Sequence, residues 1–133
     1  MWSKIFALGL GGFLGSNLRY WISNWVMERL GPYFPYGTLA VNGIGCFILG
    51  FITVYGNETI EITPTFRVFI APGMIGALTT FSTFSLESFN LIRESNYTSA
   101  VINIALNIII GLFAVELGFL AAKAFAVTAN EVA

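Results

Sequence analysis

The chain contains four apolar stretches, each close to the length that a helix needs to cross a lipid bilayer. A bilayer core about 30 Å thick requires roughly 20 mostly apolar residues in helical form. The segments between the stretches are short and rich in Pro, Gly and polar residues, which is typical of turns. The sequence therefore predicts an all-α integral membrane protein, a single domain over residues 1–133, with four transmembrane helices at about residues 5–27, 37–55, 66–92 and 97–125.

Composition supports a membrane protein and argues against several functions. The chain is 56% hydrophobic and 10% charged, whereas soluble domains are roughly 45–50% apolar and about 25% charged. Its six basic residues are scattered, so they form no basic face for nucleic acid. With one cysteine, Cys46, and no histidine, neither an internal disulfide nor a zinc or haem site is expected. No general acid–base pair or nucleophile motif is apparent, so we expect no enzyme.

The N-terminal segment MWSKIFALGLGG combines a basic residue with an apolar run, as a cleaved signal peptide would. However, the apolar pattern continues to Trp25 without a convincing cleavage site. We therefore expect this segment to form the first span. The protein is expected to be a multi-pass protein of the cell inner (plasma) membrane.

Basic residues are divided almost evenly between the two ends of the predicted helices. Lys4, Arg67 and Lys123 fall on the side of the termini, whereas Arg29 and Arg93 fall on the opposite side. Because an excess of basic residues on one side normally sets orientation, this chain has little topological preference. Four helices are also too few to enclose much of a pore. These features predict a dual-topology antiparallel homodimer, with a chance balance of a few charges as the alternative.

Polar side chains inside the predicted spans are candidates for function, because each is unfavourable in lipid. Arg19 lies within the first span, where it could attract anions to a vestibule or extend its long side chain to the membrane surface. In the second span, Asn42 follows Thr38 by one turn and could donate to an anion or accept from a cation. Asn103 and Asn107 form a similar stripe in the fourth span.

The third span is interrupted by the polar and aromatic run GALTTFSTFS, residues 76–85. Irregular backbone at membrane depth persists only where protein or a water-filled cavity satisfies it, so we expect a break near residues 76–80 at a protein interface. Carbonyls exposed there could bind a cation, and the following helix N-terminus could favour an anion. Phe81 and Phe84 would share a helix face and could present their positively polarised edges to a small anion, with core packing as the alternative.

Three segments together resemble the signature blocks of the Fluc, or CrcB-type, fluoride channel family. They are GGFLGSNLRY (11–20), GTLAVNGIGCFILG (37–50) and GALTTFSTFSLE (76–87). The chain length and the four-span plan match that family as well. The resemblance implies an antiparallel dimer with two pathways through which fluoride leaves the cytoplasm passively. It also implies a structural sodium ion at the dimer interface.

The family's functional residues can be transferred to the matching positions. The resemblance assigns the sodium ligands to the backbone carbonyls of Gly76 and Thr79, and it assigns Arg19 to an aqueous vestibule. It assigns the fluoride pathway to the Asn42 amide, the ring edges of Phe81 and Phe84, and polar lining from Ser82, Thr83 and Thr38.

The fourth span departs from the family pattern. Members often carry Tyr and, four residues later, Ser along the pore, and we align Asn103 and Asn107 with those two positions. Both amides can still donate hydrogen bonds, but the reach of the Tyr hydroxyl is lost. We therefore expect Asn103 and Asn107 to line the fluoride pathway in a modified form.

A small multidrug exchanger coupled to protons is the main alternative, because it would also be a four-span, dual-topology dimer. Its chemistry requires a carboxylate buried in the membrane. Glu87 and Glu116 are the acids that could serve. We expect Glu87 in a vestibule and Glu116 at a solvated helix end, which favours the channel over the exchanger.

Overall fold

The computed structural model describes residues 1–58 and 62–132, and no strand occurs among them. The longest element is the last helix, with 36 residues. The third predicted span consists of several consecutive helical pieces. In chain order, the elements are α1 (Trp2–Leu30), α2 (Tyr36–Glu58), α3 (Pro64–Val68), a π-helical segment (Phe69–Ile75), α4 (Gly76–Leu78), α5 (Phe81–Arg93) and α6 (Tyr97–Val132).

Among the described residues, three helical regions are both long and apolar enough to cross a membrane: Tyr36–Gly56, Pro64–Arg93 and Tyr97–Thr128. The first helix, α1, has 29 residues and a length of about 44 Å, so it is also long enough to span a bilayer. It is less apolar than the others because it contains Asn17 and Arg19. The predicted all-α fold with four long helical regions is confirmed.

The third span is irregular over most of its first half and interrupted at its centre. Pro72 lies inside the π-helical segment, where the wider turn accommodates a residue that has no N–H and whose ring would clash with the preceding turn. The backbone then becomes extended at Thr79 (φ −79°, ψ 155°) and at Thr80 (φ −150°, ψ 112°). Helix resumes at Phe81. The predicted break is therefore confirmed, and it lies at residues 79–80.

Close backbone contacts hold the helices together. Helix α2 packs along α6, and α1 packs against the π-helical segment and α4. A Cβ atom added at Gly50 of α2 would collide with the backbone carbonyl of Val115 in α6. One added at Gly15 of α1 would collide with the carbonyl of Met74. Small residues thus permit the close approach by which helices associate in lipid.

The break is the point at which the third span passes from one neighbour to another. Before the break the span contacts α1, and after it α5 contacts α6. Helix α2 contacts the pieces on both sides. Val41, Ile75 and Leu78 are among the largest fully buried side chains, and they come from α2 and from the residues just before the break. The break therefore lies against the best-packed part of the chain.

Candidate functional site

The side chain of Asn42 connects α2 to the break. Its Oδ1 accepts a hydrogen bond from the Thr80 backbone N–H at 2.8 Å, and its Nδ2 donates to the Thr80 carbonyl at 3.3 Å. In a continuous α-helix the Thr80 N–H would instead donate to the carbonyl of Gly76. The Asn42 side chain supplies the acceptor that the Gly76 carbonyl would provide in a helix, and so it stabilises the extended backbone at Thr80.

Hydroxyl groups cap the start of α5. The Thr80 hydroxyl accepts from the Thr83 backbone N–H at 3.2 Å and donates to the Thr83 hydroxyl at 2.9 Å. The Ser82 hydroxyl lies 3.4 Å from the Thr80 hydroxyl. An N-cap of this kind satisfies one of the free N–H groups at a helix start and leaves the positive end of the helix dipole beside the break.

A groove with a cavity volume of about 360 Å³ runs between α2, the break and α6; we call it the aromatic groove. The rings of Phe81 and Phe84 lie along it, with centroids 5.6 Å apart and planes inclined at 55°. Phe81 is 79% exposed, and Gly76 is also exposed. One side of the groove is thus uncovered in the single chain. Its lining contains six predicted site residues: Asn42, Gly76, Thr79, Phe81, Phe84 and Asn107.

A second cavity, of about 340 Å³, lies on the other side of Thr80 and is lined mostly by polar side chains; we call it the polar vestibule. Arg19 is half-buried there, and the buried Thr38 and the exposed Thr83 line the same cavity. Ser16 and Asn24 contribute further polar groups. Thr80 itself lines both cavities. The cavity that contains Arg19 and the aromatic groove are therefore adjacent at the break, where they share Thr80.

Two predicted pathway residues line neither cavity. Asn103 is fully buried, because its position on α6 faces α5, where its Nδ2 donates to the Ser88 hydroxyl at 3.0 Å. Ser82 is exposed on α5. In the single chain, the lining position expected for these two residues is therefore not observed. Asn107 does line the aromatic groove, and its Oδ1 accepts from Asn42 Nδ2 at 3.0 Å.

The two acids considered for an exchanger lie in different surroundings. Glu87 Oε1 accepts from the Thr38 hydroxyl at 2.7 Å, while Oε2 is buried without a hydrogen-bond partner in the described part of the chain. Glu87 is half-buried and also lines an open cavity of about 220 Å³ with Tyr33 and Glu94, so its surroundings do not contradict the expected vestibule position. Glu116 is exposed, but it does not lie at a helix end, since α6 continues to Val132.

Ser88 is a polar residue of the site that sequence reasoning missed. It is 5% exposed, and its hydroxyl donates to the Phe84 carbonyl at 2.8 Å while accepting from Asn103. The available signal was its spacing, one helical turn after Phe84, in a span already rich in hydroxyl residues.

Comparison with known proteins identifies relatives over most of the chain. Residues 6–119 match the family model described as CrcB-like protein, Camphor Resistance (CrcB). A protein of Shewanella halifaxensis (strain HAW-EB4) named Fluoride-specific ion channel FluC is 43% identical over 116 residues, which cover 87% of this chain and 93% of the relative. Proteins with the same name from Sorangium cellulosum and from a Nitratiruptor species are 41% and 44% identical, over 89% and 81% of this chain and 93% and 83% of those relatives.

The family-model match over residues 6–119 includes all three sequence blocks and confirms the resemblance that they carry. The chain belongs to the CrcB family of membrane proteins.

Proposed function

We propose that this protein is a fluoride-selective channel through which fluoride leaves the cytoplasm passively. Relatives named Fluoride-specific ion channel FluC, 41% to 44% identical to this chain, support the proposal. The structural observation that carries it is the meeting of two cavities at Thr80, one containing Arg19 and the other lined by Phe81 and Phe84. A fixed cation and polarised ring edges are groups that attract a small anion.

The polar vestibule is the proposed entrance. Arg19 is half-buried there, and a cation partly shielded from water attracts anions more strongly than one in bulk solvent. The Thr83 hydroxyl lines the same cavity, as does the Thr38 hydroxyl, which already donates its proton to Glu87. We propose that the Thr83 hydroxyl replaces part of the water shell that a fluoride ion loses on entry.

From the vestibule, the proposed path passes Thr80 and Asn42 into the aromatic groove. Asn42 Nδ2 makes a bond of 3.0 Å to Asn107 and a longer one of 3.3 Å to the Thr80 carbonyl. The longer bond is the one that an arriving anion would replace. The start of α5 adds its positive dipole end at the same level.

Phe81 and Phe84 provide the proposed basis for selectivity. The hydrogen-bearing edge of an aromatic ring is partially positive. A narrow path lined by such edges and by a few donors suits fluoride better than chloride, because only the smaller ion approaches closely enough to compensate for its lost hydration. The membrane potential supplies the driving force, about 2.3 kcal/mol per charge for each 100 mV.

We propose a structural sodium ion at the end of α4. Thr80 donates its N–H to Asn42 rather than to the Gly76 carbonyl, and Gly76 is exposed at the edge of the aromatic groove. Carbonyls at the end of an interrupted membrane helix are hard, partially negative oxygen ligands, which suit Na⁺. We propose that the carbonyls of Gly76 and Thr79 hold this ion, which would neutralise oxygen atoms that lipid cannot satisfy.

A second copy of the chain is the proposed cover for the groove. Phe81 and Gly76 are exposed beside a break at membrane depth, where uncovered backbone is unfavourable. The even division of basic residues supports antiparallel insertion of the two copies. Such a dimer in the plasma membrane would contain two sodium-binding breaks facing each other and two fluoride pathways.

The proposal is tested with purified protein in liposomes loaded with fluoride. A potassium ionophore sets the voltage, and a fluoride electrode records efflux. We expect rapid fluoride efflux that follows the imposed voltage, with no chloride efflux under the same conditions. Absence of voltage-driven efflux, or equal efflux of chloride, would contradict the proposal.

The relatives named Fluoride-specific ion channel FluC do not favour the small multidrug exchanger, although Glu87 has a buried oxygen without a hydrogen-bond partner in the described part of the chain. An exchanger would move protons against an organic cation and would leave fluoride in the liposome. A pH-sensitive dye inside the same liposomes separates the two functions. Proton flux coupled to an added organic cation would favour the exchanger.

A further inference from the structure

A continuous series of hydrogen bonds connects the break to the interior of the chain. Asn42 Nδ2 donates to Asn107 Oδ1, and Asn107 Nδ2 donates to Asn103 Oδ1, each at 3.0 Å. Asn103 Nδ2 then donates to the Ser88 hydroxyl at 3.0 Å. The Ser88 hydroxyl donates to the Phe84 carbonyl at 2.8 Å. The series runs from α2 to α6 and ends on α5.

The last acceptor of the series, the Phe84 backbone carbonyl, determines the direction of all the other bonds. A backbone carbonyl can only accept, so the Ser88 hydroxyl must use its single proton on Phe84 and accept from Asn103. Asn103 therefore turns Nδ2 toward Ser88 and Oδ1 toward Asn107. The backbone carbonyl of Asn103 also accepts from Asn107 Nδ2 at 3.0 Å, which orients Asn107 in the same sense.

With Asn107 oriented in this way, the amide of Asn42 has one favourable orientation. Asn107 presents Oδ1, so Asn42 must turn Nδ2 toward it. Asn42 Oδ1 then faces the Thr80 N–H, which requires an acceptor. A flipped Asn42 would place oxygen against oxygen at one end and N–H against N–H at the other. Because these groups are part-buried, both mismatches would be unfavourable.

We propose that Asn107, Asn103 and Ser88 form a relay that orients the Asn42 amide and thereby keeps the third span broken at Thr80. Asn103 and Ser88 line neither the aromatic groove nor the polar vestibule, so they act as positioning residues and not as ligands of an ion. The consequence for ion flux rests on the proposed fluoride function. The orientation of Asn42 can be measured without any ion.

The test compares Asn107→Leu with Asn17→Leu. Asn17 on α1 also donates Nδ2 to the carbonyl four residues earlier, that of Phe13, at 2.7 Å, which makes it a matched control outside the relay. Amide hydrogen exchange at Thr80 is followed by NMR on the intact protein in detergent. We expect Asn107→Leu to accelerate exchange at Thr80 on the order of tenfold, because the bond from Thr80 to Asn42 is no longer held in place. Asn17→Leu should leave that rate unchanged.

Two further measurements separate positioning from general loosening of the fold. General loosening would accelerate exchange along all of α5, whereas loss of the relay acts at Thr80. In an Asn42→Ala background, Asn107→Leu should produce no additional acceleration at Thr80, since the residue that it orients is absent. An unchanged Thr80 rate in Asn107→Leu, or full additivity with Asn42→Ala, would overturn the relay.

The Ser88 end provides a second pair of variants should Asn107→Leu fail to fold. Ser88→Ala removes the acceptor for Asn103, whereas Ser88→Thr retains a hydroxyl. We expect faster Thr80 exchange and lower fluoride flux in Ser88→Ala, with both close to wild type in Ser88→Thr. Equal Thr80 rates in the two variants would contradict the relay. If the wild-type protein carries no fluoride, the proposed function fails, while the Thr80 rates still decide the relay.

Discussion

At the scale of single residues, the site combines polar groups that hydrogen-bond to the backbone with exposed aromatic groups. Asn42 illustrates the first kind, since its amide replaces a helical hydrogen bond at Thr80. Phe81 illustrates the second kind: it makes a ring contact with Phe84 and is otherwise 79% exposed. A ring so exposed contributes little to the core of its own chain, which is consistent with the proposed fluoride pathway and the proposed dimer.

Replacing both phenylalanines tests their proposed role. We expect Phe81→Ile combined with Phe84→Ile to lower fluoride efflux at least about tenfold, because aliphatic side chains present no positively polarised edge. Efflux from liposomes and the size of the particle in detergent are measured together. The matched control is Phe89→Ile, since Phe89 is 56% exposed on the same helix and lies outside the aromatic groove. Normal efflux in the double variant would remove the ring-edge mechanism.

At the scale of the elements, the interruption of the third span depends on its neighbours. Pro72 disturbs the first half, but the extended residues Thr79 and Thr80 come later and are stabilised by Asn42 from α2 and by the capping hydroxyl of Thr80 itself. The two halves then contact different helices, α1 before the break and α6 after it. A single straight helix could not make both contacts.

Gly15 tests the contact between α1 and the first half of the third span. We expect Gly15→Ala to destabilise the protein by about 1–3 kcal/mol, because the added Cβ would collide with the Met74 carbonyl and force the helices apart. Gly9→Ala is the matched control on the same helix, since a Cβ there meets nothing within 4 Å. Thermal unfolding in detergent measures the difference. Equal melting temperatures for the two variants would contradict the close packing of α1 on this segment.

At the scale of the whole molecule, one chain encloses neither cavity completely. The aromatic groove has an exposed glycine and an exposed phenylalanine at its edge, Gly76 and Phe81. Large apolar side chains are also exposed along all the long helices, as expected for surfaces that face lipid or another copy. The proposed antiparallel dimer accounts for both kinds of exposure.

Dual topology can be measured in cells. Tyr33, in the loop after α1, is 88% exposed. In a Tyr33→Cys variant that also carries Cys46→Ala, we expect a membrane-impermeant thiol reagent to label about half of the molecules from outside, because the basic residues set no preference. Glu94 lies in the loop after α5, on the same side of the membrane as Tyr33. Adding Glu94→Lys should favour insertion with both loops in the cytoplasm, because basic residues are retained there, and should therefore lower external labelling of the Tyr33→Cys molecules. Labelling of all or of none of the molecules would contradict dual topology.

The sequence by itself determined the properties that depend on local composition. Long apolar stretches predict helices because lipid requires every backbone group to be satisfied within the segment. The polar run at residues 76–85 predicts a break for the same reason, and its residues carry much of the family resemblance. Asn42, Phe81 and Phe84 were identified as candidates from spacing and chemistry, and the structure brings them into one groove.

Only the tertiary structure decided which polar groups meet. Thr38 reaches Glu87 across 49 positions of sequence, and Asn42 reaches Asn107 across 65. Asn103 looks equivalent to Asn107 in the sequence, yet it is fully buried against α5 while Asn107 lines the groove. The difference arises because hydrophobic spacing indicates where a helix lies in the membrane, whereas its rotation and its partners are set by the close packing of several helices at once.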